Sequence, residues 1–112
     1  MNNESQPADD RFVSAAEASS LSPGNGRTVN VKGREFALYN IDGEFYAIDD
    51  RCPHKDASLG AGTCAGSMVF CPLHAWVFDV KTGACLNRPD KPVQTYKTRV
   101  VEGWVQILIN EL

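Results

Sequence analysis

Histidine is scarce in this chain. Only His54 and His74 occur in 112 residues, beside four cysteines, two tryptophans and two methionines. Base is not in excess either: 11 Lys and Arg face 14 Asp and Glu, for a formal charge of −3. Without clustered Lys and Arg there is no electrostatic footprint for nucleic acid. No hydrophobic run approaches the roughly 20 apolar residues of a membrane helix, so no membrane partner is expected. The first residues lack the basic segment and apolar core of a secretory signal, which points to the cytoplasm. There is no dinucleotide fingerprint, because Gly24-Asn25-Gly26 runs into Arg27-Thr28-Val29 where a third glycine would be needed.

What remains is an ordinary globular composition with a polar leader. Glu4, Asp9 and Asp10 are three of the fourteen acids, so the rest of the chain carries eleven of each sign and is neutral. Residues 1–10 read as a disordered, solvated tail. Residues 11–112 read as one domain. In a cytoplasmic setting thiols stay reduced, so four cysteines point to metal or redox chemistry before a disulfide framework.

The pattern from Phe12 onward predicts an all-β domain. Arg27–Val31 and Arg34–Asn40 are β-branched and aromatic runs joined by Lys32-Gly33, a hairpin signal. Asp42-Gly43 leads into Glu44–Asp49, where Phe45 and Ala47 share one face and Tyr46 and Ile48 the other. Met68–Cys71, Trp76–Val80, Tyr96–Val101 and Trp104–Ile109 are further strands, the last two joined by Glu102-Gly103. Ser14–Ser20 reads as a short helical turn capped by Ser14, with Glu17 three residues on. About eight short strands indicate an antiparallel sandwich or small barrel.

The chemistry lies between Arg51 and Phe78. Cys52-Pro53-His54 is followed, sixteen residues later, by Cys71-Pro72-Leu73-His74. A gap of that length accommodates a hairpin turning at Ala65-Gly66-Ser67, which returns the second Cys/His pair beside the first. Thiolate and imidazole suit iron, zinc or copper. Three readings compete: buried cysteines with satisfied core histidines, structural zinc, or a [2Fe–2S] centre with two histidines on one iron. The pattern uses both histidines of the chain in the same Cys-before-His order, which argues against coincidence. Zinc sites space paired ligands by two or more residues, so Cys52-x-His54 argues against zinc. The mixed iron–sulfur centre needs two cysteines and two histidines.

These motifs resemble the Rieske iron–sulfur family. The likeness runs from about Phe12 to Ile109, through Tyr46-Ala47-Ile48-Asp49, Leu59-x-x-Gly62, Phe78-Asp79 and Thr82-Gly83. It implies a Rieske-type fold with a two-loop cluster-binding subdomain and one [2Fe–2S] cluster. It implies that Cys52 and Cys71 hold the buried iron, and His54 and His74 the outer iron. It also implies that Asn87-Arg88-Pro89-Asp90-Lys91-Pro92 is the proline loop covering the cluster. Cys64 and Cys85 match no ligand position and read as small packing residues. Lys55, Asp56, Arg88 and Lys91 are candidate docking charges at the tip.

With both histidines assigned to the cluster, no catalytic residue is expected in this chain, and a larger redox partner must perform the chemistry. Val69-Phe70-Cys71-Pro72-Leu73-His74-x-Trp76, with Thr82-Gly83, Asp90, Val93 and Thr95-Tyr96, looks like the small subunits of bacterial NAD(P)H-dependent nitrite reductases. That resemblance is preferred, and it implies a flavin- and sirohaem-bearing large subunit that reduces nitrite to ammonia in nitrate assimilation. The alternative is the ferredoxin of an aromatic-ring-hydroxylating dioxygenase system, placed between a reductase and an oxygenase component. A third class is a non-redox interaction module holding zinc or no metal.

High-potential members of the family carry Ser and Tyr hydroxyls after the second histidine that donate to cluster sulfurs. The matching positions here are Trp76 and Phe78, which offer no hydroxyl. Fewer donors leave the reduced cluster less stabilised. The midpoint is therefore predicted near the low end of the Rieske range of roughly −150 to +300 mV. Protein-film voltammetry measures it, and a clearly positive value would refute the argument.

Overall fold

The computed structural model describes residues 11–53, 57–72 and 76–109. The leader, His54 and His74, and the candidate docking residues Lys55 and Asp56 lie outside them. Among the described residues every strand pairing is antiparallel, and no helix is long and apolar enough to cross a membrane.

Three sheets form among the described residues. β2 (Asn25–Val31), β3 (Arg34–Ile41) and β4 (Glu44–Asp49) form a meander whose far edge is β8 (Thr95–Tyr96). β1 (Phe12–Glu17), β10 (Trp104–Leu108) and β9 (Thr98–Val101) form the second sheet, in that order. β5 (Thr63–Ala65), β6 (Met68–Phe70) and β7 (Val77–Asp79) form the third. The three Xaa-Gly turns have positive φ at both positions: Lys32 53° and Gly33 84°, Asp42 55° and Gly43 91°, Glu102 51° and Gly103 84°. This is the type I′ geometry, whose twist matches that of the flanking strands. Asn30 and Asn40 support the first two turns, their side-chain oxygens accepting the N–H of Gly33 at 3.1 Å and Gly43 at 2.8 Å.

β3 and β4 sort their side chains with period two into two cores. Phe36, Leu38 and Ala47 face Ala16, Val105 and Ile107 of the second sheet, with Val29 and Val31 of β2. Ala37, Tyr39, Ile41 and Ile48 face Val69 and Phe78 of the third sheet, together with Leu59, Cys52, Cys71 and Cys85. The predicted division of β4 holds, with Phe45 packed on one core and Tyr46 on the other.

The helical reading of Ser14–Ser20 is corrected. Phe12–Glu17 is a strand, and only Ala18–Ser20 forms a 3-10 turn, without a side-chain cap. A seven-residue helix is marginal by itself. Here β10 offers a full ladder from Phe12↔Leu108 to Glu17↔Trp104, with one bulge between Ser14 and Ala16. The predicted strand Tyr96–Val101 divides at Lys97, because Tyr96 pairs with Ala47 while Thr98 pairs with Ile107. Tyr96 clasps the seam: its hydroxyl donates to Asp49 at 2.6 Å and accepts from Arg34 at 3.0 Å. Burial, then Asp49, push that hydroxyl up to about 12, so it remains a donor.

Gly83 joins the Lys81-Thr82-Gly83 turn to the segment leading into β8. Its φ is +83°, and an added Cβ would lie 2.2 Å from the Val93 carbonyl oxygen. Gly66 has φ +61° but open space around it. Gly66→Ala should cost about 1–2 kcal/mol from left-handed strain alone. Gly83→Ala adds a backbone collision and should cost roughly 3 kcal/mol or more. Urea unfolding separates the two, and equal midpoints would contradict the close approach at Gly83.

Candidate metal centre

Cys52 and Cys71 occupy equivalent places in two loops. The first loop leaves β4 and is closed by the Arg51↔Ser58 bridge. The second leaves β6 and is closed by the Phe70↔Val77 pair. Inside each closing pair, the cysteine N–H donates to the carbonyl of the fifth residue on: Cys52 to Ala57 at 3.0 Å, and Cys71 to Trp76 at 2.8 Å. Pro53 and Pro72 follow the cysteines, where a missing N–H leaves no orphan donor in a tight loop.

The two thiols are 2% and 3% exposed and belong to one apolar cluster with Leu59, Val69, Trp76 and Phe78. Neither is in a disulfide. Two buried thiols, on separate loops and in one dry cluster, fit the cysteine half of a mixed Cys/His iron–sulfur centre. No group of three or more His, Cys, Asp or Glu gathers among the described residues. His54 and His74, the two further ligands that the sequence suggests, lie outside the described residues.

The other two cysteines have other partners. Cys85 is buried, bridges to Phe78, and lies with its Sγ 3.4 Å from Asn87 Oδ1. Cys64 is half-buried, with its Sγ 3.7 Å from the Gly66 carbonyl oxygen, and burial pushes its thiol up. Asn87 has a role the sequence did not suggest. Its Oδ1 also accepts the N–H of Val77 at 3.1 Å, so it ties the start of the proline loop to the strand that follows the second cysteine loop.

That proline loop lies against the second cysteine loop through Arg88, whose guanidinium stands 5.1 Å from the centre of the Trp76 ring. Lys91 N–H donates to the Arg88 carbonyl at 2.9 Å, which keeps the loop tight. Arg88 also pairs with Asp90 at 3.4 Å and holds its carboxyl below the usual range. This pair is solvent-exposed, so it contributes little to stability. Trp76 and Phe78 are both buried in the cluster beneath the loops.

A protein-family model, the Rieske [2Fe-2S] domain, matches residues 11–97. The chain belongs to the Rieske family. Its cofactor is accordingly a Rieske-type [2Fe–2S] cluster, and its activity is electron transfer through it. The chain is 36% identical over 91 residues to the ferredoxin component of the naphthalene 1,2-dioxygenase system of Pseudomonas putida, covering 80% of this chain and 88% of that protein. It superposes with a TM-score of 0.81 and 34% identity on a chain from the complex of reduced oxygenase and oxidised ferredoxin in carbazole 1,9a-dioxygenase, covering 91% and 97%. It superposes with a TM-score of 0.82 and 28% identity on a structure described as an NADH-dependent nitrite reductase small subunit from Mycobacterium tuberculosis, covering 90% and 96%.

Cys64→Ala and Cys85→Ala should leave the visible spectrum of the bound cluster unchanged. Cys85→Ala should also cost about 1–2 kcal/mol, as the loss of a small buried group does. Cys52→Ala and Cys71→Ala should abolish the spectrum. Bleaching by either of the first pair would make that cysteine a ligand.

Proposed function

We propose that this chain is the ferredoxin of an oxygenase system, carrying electrons from a reductase to a terminal oxygenase component. The observation that carries the reading is the likeness, at 36% identity over most of both chains, to a dioxygenase ferredoxin component. In this reading Cys52 and Cys71 bind the inner iron, and His54 and His74 the outer one. A [2Fe–2S] cluster held by these residues would supply one-electron transfer.

The chain's own residues do the rest. The Ala57 and Trp76 carbonyls fix the two cysteine backbones. Leu59, Val69 and Phe78, each fully buried, exclude water from the inner side. A rigid, dry seat limits rearrangement when the charge of the centre changes. Arg88 and Lys91 stand exposed on the neighbouring loop and offer positive charge to steer an acidic partner surface. The protein works in the cytoplasm, where Cys64 and Cys85 stay reduced.

The second reading is the one preferred on sequence, the small subunit of an NAD(P)H-dependent nitrite reductase. The TM-score of 0.82 to a structure so described supports it. Both readings require a larger redox partner.

Anaerobic purification should yield a full [2Fe–2S] complement of iron and acid-labile sulfide, with a rhombic EPR signal of low average g after dithionite. The loaded protein should then restore turnover to a ferredoxin-depleted reductase and oxygenase pair. Stable association with a sirohaem protein, and no oxygenase turnover, would decide for the nitrite reductase instead.

A further inference from the structure

Asp50 stands between β4 and Cys52. It is buried, at 4% exposure. Its Oδ1 accepts three hydrogen bonds, from the Gly60 N–H at 2.8 Å, the Thr28 hydroxyl at 2.9 Å and the Ser58 hydroxyl at 3.0 Å. The Thr28 and Ser58 hydroxyls are themselves 2.8 Å apart, so three oxygens form a triangle that shares two hydroxyl protons. The Asp50 backbone carbonyl accepts the Leu59 N–H at 2.6 Å. Tyr39 donates to the Leu59 carbonyl at 2.8 Å.

These bonds converge on the base of one loop. Ser58 is the residue that pairs with Arg51 to close it. Thr28 belongs to β2, across the sheet from β4. Gly60 permits the contact, since a Cβ there would meet Thr28 Oγ1 at 2.5 Å and Thr28 N at 2.6 Å. Burying a carboxylate is costly unless donors surround it. An apolar side chain would pack this position more cheaply, but it would leave the buried Gly60 N–H without its acceptor and remove the oxygen that draws Thr28 and Ser58 to one point. The second loop is held differently, by the Phe70↔Val77 pair and by Asn87 on Val77.

We propose that Asp50 is the positioning residue of the first cysteine loop: its carboxylate gathers Thr28, Ser58 and Gly60 to fix the base of that loop, where Arg51 pairs with Ser58 beside Cys52. This rests on the ligand assignment given above. Partners of this kind, one layer behind the ligands, commonly alter metal affinity by 10–100-fold.

The test compares the loaded wild type with Asp50→Ala, Asp50→Asn and Asn40→Ala. Asn40 is the other buried polar residue among the described residues; it lies on β3 opposite the start of β4 and is bonded to the Leu21 carbonyl at 2.8 Å and to the Gly43 N–H at 2.8 Å. The measurement is the anaerobic rate at which a chelator bleaches the cluster, together with the EPR line shape and the thermal midpoint. Asp50→Ala should bleach at least roughly tenfold faster than wild type, with a broadened signal. Asp50→Asn keeps an acceptor oxygen and should recover most of the wild-type rate. Asn40→Ala should lower the thermal midpoint yet bleach at the wild-type rate, separating loop positioning from general stability. If Asp50→Ala does not fold, Thr28→Val combined with Ser58→Ala removes two donors and should still accelerate bleaching several-fold. An unchanged rate and line shape in Asp50→Ala, or in the double variant, overturns the proposal. A cluster that survives Cys52→Ala overturns the ligand assignment first, and the proposal with it.

Discussion

The whole domain depends on one sheet being buried on both faces. β3 has no exposed side chain from Phe36 to Ile41, and its alternation sends Phe36 and Leu38 to one core and Ala37, Tyr39 and Ile41 to the other. A one-residue slip would exchange the two sets, so register is strongly specified. One core closes on β1 and β10 and lies away from Cys52 and Cys71. The other closes on β5, β6 and β7 and forms the floor beneath both cysteines. The redox end is therefore anchored to the same strands that hold the rest of the domain.

The two cysteine loops rise from that floor. Each is a short excursion from a paired strand, closed by a cysteine N–H bonded five residues ahead. The thiols sit where the apolar cluster meets the loop, which keeps water from their inner side. Around this dry base lies a polar rim: Arg88 stacked on Trp76, Asn87 on Val77, and the triangle at Asp50. An electron carrier needs such a seat because its centre changes charge at every cycle while its geometry should not.

Much of this was legible in the sequence. Hairpin turns announce themselves locally, because only a few residue pairs tolerate two positive φ values in succession, and Lys32-Gly33, Asp42-Gly43 and Glu102-Gly103 all lie where expected. The two faces of Glu44–Asp49 followed from period two. The Cys/His spacing narrowed the centre to a few classes, and the likeness to the Rieske family then implied its cofactor. Ser14–Ser20 was misread because its capping pattern is local while its true partner, β10, lies some ninety residues away in the chain.

The sequence alone determined the antiparallel class and the main hairpins, because each depends on neighbours within a few residues, and its motifs carried the likeness that implied the cofactor class. Only the tertiary structure decided which strands share a sheet, that Tyr96 and Thr98 belong to different sheets, and that Cys85 answers to Asn87. It alone gave Asp50 three donors, from Thr28 on β2 and from Ser58 and Gly60 beyond the loop. A buried carboxylate is defined by the groups folded around it, and those groups lie on separate segments that meet only when the sheet has formed.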